Sequence, residues 1–325
     1  MRNGGLLLPS NLMNLFEQPG EWLRCQFHCH TTESDGWPAP TALVEHYAAL
    51  GCDVLVITDH WGITLAESDH MLMIPGSELS THLDRAPFEA EVLAIGIDEL
   101  PEPREAFSTI AACADWIVAQ GGVAFLAHPH WSTLTADDYL GAPALSGLEV
   151  WNGSSDQAQG RGLSDMQWDG VLQVGGCASG LGTDDAHHAA DPSGADTGLG
   201  WTMVLVQEQT RAAVLEALRT GAFYATTGPT FHAVHVDDDY VVVRCSPASS
   251  VTLRSGAWDG CRVNASDTLR NYRGEIVARE AGGIVEARFE MPEFWTWGRV
   301  EMVGVDGGLA WSNPIDLPGE RAPFV

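Results

Sequence analysis

The chain has 325 residues, 45% of them apolar, and a near-neutral mean hydropathy, enough to bury a full core in one large domain with a small one behind it. Its formal charge is −28 and all sixteen basic residues are arginine. Such a balance repels nucleic-acid backbones and anionic membranes over most of the surface and argues against both as partners. There is no run of about 18 apolar residues, the opening MRNGGLLLPSNLMNLFEQPG lacks the pattern of a signal peptide, and seven scattered cysteines show no CxxC spacing. A cytoplasmic protein without structural disulfides is therefore expected.

Between residues 24 and 206 short apolar runs alternate with helical patterns, the signature of repeated strand-helix units and a parallel sheet. The expected strands are RCQFHC (24–29), CDVLVIT (52–58), HMLMIPG (70–76), EVLAIGI (91–97), GVAFLA (122–127), GLEVW (147–151), CASGLGT (177–183) and WTMVLVQ (201–207). TALVEHYAALG, EAFSTIAACADWIVAQGG and RAAVLEALRTG place apolar residues three and four apart and end at glycine, as amphipathic helices do. An α/β barrel or barrel-like layer fits this order. After YATTGPT (224–230) the segments YVVVRCS, SVTLRSG, IVEARFEM and RVEMVGVDGG are β-rich with glycine-containing turns. The reading is a domain over 1–230 followed by a small antiparallel, sandwich-like β domain over 231–325.

Histidines and acids recur just past the ends of these strands. His28 and His30 follow the first, Asp59 and His60 follow VLVIT, and Glu78 follows MIPGS. His128 and His130 follow AFLA, Glu149 and Asn152 flank the sixth strand, and Asp184, Asp185 and His187 follow GLGT. In a parallel α/β barrel the carboxyl ends of the strands converge on one face, where catalytic groups sit. The two imidazoles of HCH point to one side, because side chains alternate along an extended chain. Imidazole and carboxylate together suit zinc, manganese or iron, and this many donors exceeds the needs of one tetrahedral ion, which implies two or three.

The motifs HCHTTESDG, ITDH, GSE, AHPH and GTDDAH, in this order over residues 22 to 230, resemble the polymerase and histidinol phosphatase (PHP) superfamily of metal-dependent phosphoesterases. The resemblance implies a distorted (β/α)7 barrel with a two- or three-metal site at the carboxyl ends of its strands. Position by position, it makes His28 and His30 the HxH ligands, Asp35 the acid of the SDG turn, His60 the histidine of TDH and Glu78 the bridging carboxylate. It makes His128 the histidine of the HP motif, and Asp185 and His187 the final DxH pair. The sequence departs from the pattern where many members carry a further histidine after the GxE glutamate, since Glu91 or Glu89 stands there. Glu91 as a carboxylate ligand, His82 reaching in from the loop, and a missing metal are the three alternatives. The segment LRTGAFYATTGP, followed by a β domain ending in AWSNPI, further resembles the carbaryl-hydrolase-like branch, some of whose members cleave carbamate or carboxyl esters.

Asp59 and Asp184 are expected to orient ligands by hydrogen bonding rather than to bind metal. His130 or His82 is positioned to protonate a leaving group, and Asp185 belongs to the reacting centre. Arg161 in QGRG, Trp151 and Asn152 are candidates for substrate contact, against a surface arginine and a core tryptophan as the plain alternatives. His46, His70 and His188 read as ordinary helix and loop residues. A water bridging two divalent ions becomes a hydroxide nucleophile near neutral pH, and the ions neutralise the charge of a phosphate ester, so few basic side chains are needed. Hydrolysis of a small phosphorylated molecule is the first expectation. Cleavage of a carbamate, carboxyl ester or amide by the same site is the second, and a metal-stabilised scaffold without turnover the third. The expected partner is a small-molecule substrate, and a homo-oligomer is left open.

Overall fold

The computed structural model describes residues 15–83, 89–102, 107–189, 196–256, 259–267 and 272–319. The start of the helix expected from Glu105 and both ends of the chain lie outside them. The first half runs β1 (Glu21–Gln26), α1 (Pro40–Ala49), β2 (Val54–Leu55), β3 (Leu72–Met73), β4 (Gly76–Thr81), β5 (Ala90–Ile95), α2 (Ile110–Ala119) and β6 (Val123–Leu126). It continues through α3 (Ala136–Leu140), β7 (Gly147–Asn152), α4 (Gly153–Gln159), α5 (Asp165–Gln173), β8 (Ser179–Thr183), β9 (Trp201–Val206), α6 (Arg211–Thr220) and β10 (Phe223–Thr226). The described remainder is β11 (Phe231–Asp237), β12 (Tyr240–Ser255), β13 (Asp259–Asn264), β14 (Gly274–Glu280), β15 (Gly283–Glu290), β16 (Trp297–Gly304), β17 (Leu309–Ser312) and β18 (Ile315–Asp316).

The protein is mixed α/β, and its sheets are open rather than closed into one ring. One sheet has the order β4-β5-β6-β7-β8, and the other follows the path β14-β15-β12-β16-β17-β10-β9-β1-β2-β3. Pairing is parallel for β1 with β2, β2 with β3, β6 with β7 and β7 with β8. It is antiparallel for β4, β5 and β6, and again for β1, β9 and β10. This departs from the parallel sheet and barrel-like layer expected from alternating strand-helix units. Part of the departure comes from β4, which no apolar run announces. GSELST has no apolar run because several of its polar side chains face other polar groups, yet every residue in it is buried.

The expected helices form for local reasons. Pro40 opens α1, where its missing N–H costs nothing, while the side chains of Thr109 and Thr210 cap α2 and α6 by accepting from Ala112 N–H and Ala213 N–H. Val214, Leu215 and Leu218 of α6 join Leu23, Val54, Phe125, Leu181, Val204 and Phe223 in a core beneath the strands. A separate core is built from β11 to β18, including Val243, Leu253, Phe289, Val300 and Met302. The two are tied together. β17 returns to pair with β10, Trp311 stacks on Trp151 at 5.8 Å, and Arg299 reaches from β16 to Asp169 of α5.

Candidate metal centre

Backbone pairing first brings two distant motifs together. His30 N–H donates to Ala186 O and Asp185 N–H to His28 O, so the segment after β1 is laced to the segment after β8. Trp37 N–H donates to His187 O, which draws the SDG turn to the same place. Gly36 makes that turn possible, because a Cβ there would lie 2.4 Å from His30 C and O and 2.6 Å from Thr31 N. His60 forms a bridge to Glu78 in β4. In the β4/β5 pair Glu78 is opposite Leu93 and Ser80 opposite Glu91, so Glu78 and Glu91 are diagonal neighbours on one face.

The side chains then converge around Glu78. Its Oε2 lies 3.1 Å from His28 Nε2, 3.3 Å from His30 Nε2 and 3.5 Å from His60 Nδ1, and its Oε1 lies 3.1 Å from His128 Nε2. Asp185 Oδ1 is 3.1 Å from His28 Nε2 and 3.2 Å from His30 Nε2. Glu91 Oε1 is 3.5 Å from His60 Nδ1 and its Oε2 is 3.4 Å from His128 Nε2. On the open side, Asp35 Oδ2 is 3.6 Å from His60 Nε2 and 3.5 Å from His187 Nε2. Four overlapping donor groups result: His30, Asp35, His60 and His187; His28, His128 and Asp185; His28, His30 and Glu78; His60, Glu78 and Glu91.

The donor chemistry fits divalent ions. His28 Nε2 and His30 Nε2 are buried without a hydrogen-bond partner, although each lies 3.1–3.3 Å from the same two carboxylate oxygens. Ligands on a tetrahedral shell with bonds of about 2.0–2.1 Å stand about 3.3 Å apart. The spacing is therefore that of atoms sharing an ion. Two donors also have left-handed backbone, His128 at φ 27 and Asp185 at φ 56, a cost that persists where surrounding structure holds a functional group in place.

The electrostatics agree. Burial works against charge on His28, but Asp185, Glu78 and Glu149 overcome it and hold the ring well above the ordinary imidazole range. The same competition, won by Asp185 and Glu78, brings His30 up to about 10, and His128 rises to about 9 beside Glu78. Burial and then the negative Glu78 push Glu91 up to about 8. A site that binds protons this strongly is one where cations and protons compete for the same lone pairs.

The structure thus brings together eight of the expected donors and Glu91 with them. Other candidates lie outside these donor groups. His82 is exposed just past β4 and belongs to none of the donor groups. His130 is partly exposed, its Nδ1 hydrogen-bonded to Leu163 O at 2.8 Å and its N–H to Ser164 Oγ. Arg161 is exposed, and no arginine among the described residues bonds to the cluster. Trp151 is half-buried, with its Nε1 donating to Leu199 O and its ring stacked on Trp311. Asn152 is likewise fully engaged, donating to Glu149 Oε2 and Asp185 Oδ2 and accepting from Ser155 N–H. It is fully buried and holds both carboxylates in place.

Asp59 does not touch an imidazole but clamps the loop before Asp35, accepting from Thr31 N–H and Oγ1, Ser34 Oγ and Thr64 Oγ1 at 2.5–2.7 Å. Asp184 fastens another loop, accepting from Tyr47 OH and the N–H groups of Gly198, Leu199 and Gly200. The sequence shows Glu149 in the sixth strand but gives it no role, and it does not mark Ser132, which meets His128 Nδ1 at 2.8 Å. An acid inside the apolar run GLEVW was the available signal for Glu149. Nothing in the sequence marks Ser132.

No protein-family model and no curated protein matches the chain. Among solved structures, a protein from Bifidobacterium adolescentis, whose assignment as a metal-dependent phosphoesterase is a prediction, is 17% identical over 61% of this chain and 96% of its own, with a TM-score of 0.42. An amidohydrolase from Chromobacterium violaceum with bound sulfate and no metal is 16% identical over 51% of this chain and 88% of its own, with a TM-score of 0.39. A two-domain protein from Bacteroides vulgatus that contains a predicted PHP-like metal-dependent phosphoesterase is 17% identical over 97% of this chain and 99% of its own, with a TM-score of 0.52. Over 97% of its length, this chain is therefore similar in fold to the Bacteroides vulgatus protein.

Proposed function

We propose that this protein is a PHP-superfamily metal-dependent hydrolase that cleaves a phosphate ester of a small molecule. The observation that carries the reading is the pair of buried, unpartnered imidazole nitrogens of His28 and His30 set 3.1–3.3 Å from Glu78 and Asp185 oxygens. His28, His30, Glu78 and Asp185 would hold one ion, Glu78, Glu91 and His128 a second, and Asp35, His60 and His187 a third. Zinc, manganese and iron all suit imidazole and carboxylate together. When bound, such ions supply Lewis acidity and a water nucleophile usable at neutral pH. The carboxylates of Asp35, Glu78, Glu91 and Asp185 concentrate negative charge that those ions would offset. Asp35, His60 and His187 are the solvent-facing donors and so form the side from which substrate enters. His130, with Nδ1 anchored on Leu163 O, keeps Nε2 for moving a proton to the leaving group. The division into a metal-binding unit up to about residue 230 and a β unit after it is part of the same proposal, and the two-domain description of the Bacteroides vulgatus protein supports it.

A carbamate, carboxyl ester or amide as substrate is the second reading, since a metal-held water nucleophile would attack a carbonyl carbon as well as phosphorus. The test is hydrolysis of p-nitrophenyl phosphate beside p-nitrophenyl acetate by protein loaded with manganese or zinc, with His30→Ala as control. Phosphate release abolished in the variant supports the phosphoesterase. His30-dependent cleavage of the acetate alone moves the site to carbonyl chemistry. Loaded protein that turns over neither ester would sink both readings and leave a scaffold.

A further inference from the structure

Glu149 lies in β7, fully buried, and its two oxygens take four hydrogen bonds. Oε1 is 2.7 Å from His28 Nδ1 and accepts from Thr183 Oγ1 at 2.6 Å. Oε2 accepts from His128 N–H at 2.7 Å and from Asn152 Nδ2 at 2.8 Å. A carboxylate in this position has no donor hydrogen of its own, so every group facing it must donate. His28 must therefore carry a proton on Nδ1, which makes Nε2, facing Glu78 and Asp185, the nitrogen that would give up its proton to an ion. The bond to His128 N–H acts on a second donor, one whose backbone sits at φ 27.

We infer that Glu149 is the positioning residue of the metal centre: it fixes the Nδ1–H form of His28 and holds His128 in its left-handed backbone, so that both rings present Nε2 to the ions. This rests on the metal-centre reading above. The geometry also says how the site would fail. In Glu149→Gln the amide must turn its NH2 toward one pair of donors. His128 N–H is fixed and Asn152 is held by capping α4 through Ser155 N–H, whereas Thr183 Oγ1 can rotate and reverse its role. The NH2 group will therefore face His28 Nδ1, which becomes an acceptor, and the ring proton moves to Nε2, the atom needed for coordination.

The test uses the full chain loaded with zinc. Zinc affinity measured by calorimetry should fall about 10- to 100-fold in Glu149→Gln, the usual penalty for losing the partner that orients a ligand. Thr183→Val, which removes a donor but leaves His28 its carboxylate, should stay within about threefold of the wild type. In parallel, ¹⁵N imidazole spectra of the zinc-loaded wild type, assigned with His28→Gln, should show His28 protonated at Nδ1 and coordinated through Nε2. Equal zinc affinity in the wild type and a folded Glu149→Gln overturns the role of Glu149 while leaving the metal centre standing. Absence of zinc uptake by the wild type overturns the metal centre and this role with it. If Glu149→Gln does not fold, the wild-type spectrum still decides, because coordination of His28 through Nδ1 is incompatible with the proposal.

Discussion

Asp59 holds the loop that carries Asp35, and its removal has a cost that can be worked bond by bond. Thr31 is fully buried and gives Asp59 both its N–H and its hydroxyl. In Asp59→Ala these two donors lose their acceptor inside the protein, at about 1–3 kcal/mol each. The buried Thr64 hydroxyl loses its acceptor as well, while Ser34 is half-buried and its hydroxyl can turn to water, so it adds little. With three buried donors left unmatched, the expected loss of stability is about 3–9 kcal/mol. In Asp59→Asn the amide can place its oxygen toward Thr31 N–H and Ser34, and its NH2 toward the hydroxyls of Thr31 and Thr64, which can reverse. Only the charge assistance goes, about 1–2 kcal/mol. Burial resists ionisation of Asp59, but hydrogen bonds from Thr31, Thr64 and Ser34 prevail and lower its pKa. For a carboxyl with a depressed folded value, the stabilisation is complete above the unfolded value of about 3.9 and is lost as pH falls through the lower folded one. The stability gap between wild type and Asp59→Asn should therefore be constant from neutral pH down to about pH 4 and shrink below it. Urea unfolding of the metal-free proteins over that range is the assay. An alanine variant within 1 kcal/mol of the wild type, or an asparagine variant as damaged as alanine, would refute the reasoning.

Gly36→Ala brings a methyl group against the backbone of His30 and Thr31, so the turn must move. A loss of about 1–3 kcal/mol is expected from overpacking, with weaker manganese binding as the more telling sign because Asp35 moves with the turn. Isothermal titration against the wild type checks both its direction and its stoichiometry. The buried pair between Arg299 and Asp169 makes an asymmetric prediction. Arg299 is fully buried, with Nε donating to Asp169 Oδ1 at 2.8 Å and the guanidinium 4.7 Å over Trp168, while Asp169 is about a third exposed. Asp169→Ala leaves the interior cation only its longer bond to Glu301 Oε2 at 3.4 Å and should cost up to about 3 kcal/mol, whereas Arg299→Met leaves a carboxylate that water can reach and should cost less. Thermal unfolding of both variants and the double mutant reads the difference.

The sequence by itself named the residues that the fold gathers into one cluster, and most of the strands. HCH, SDG, TDH, GSE, AHPH and GTDDAH hold every member of the cluster except Glu91, and strand periodicity put them at the ends of apolar runs, because ligands that share an ion must be polar on an otherwise buried edge. The same logic hid β4, whose polar residues face other polar groups and break the apolar pattern that marks a strand. It also hid the antiparallel pairing of β4 with β5, and only that register decides that Glu91 lies beside Glu78 rather than across the sheet. The competition over His82 and Glu91 was beyond the reach of spacing, since both are near enough in sequence and pairing alone fixes which face each occupies. Asn152 and Trp151 looked available because a polar and an aromatic residue at a strand end can face a pocket. Their hydrogen bonds to Glu149, Asp185 and Leu199 come from three separate segments. Glu149 is the clearest case. One acid in an apolar strand is conspicuous in the sequence, but its four donors come from residues 28, 128, 152 and 183, and only folding brings those together.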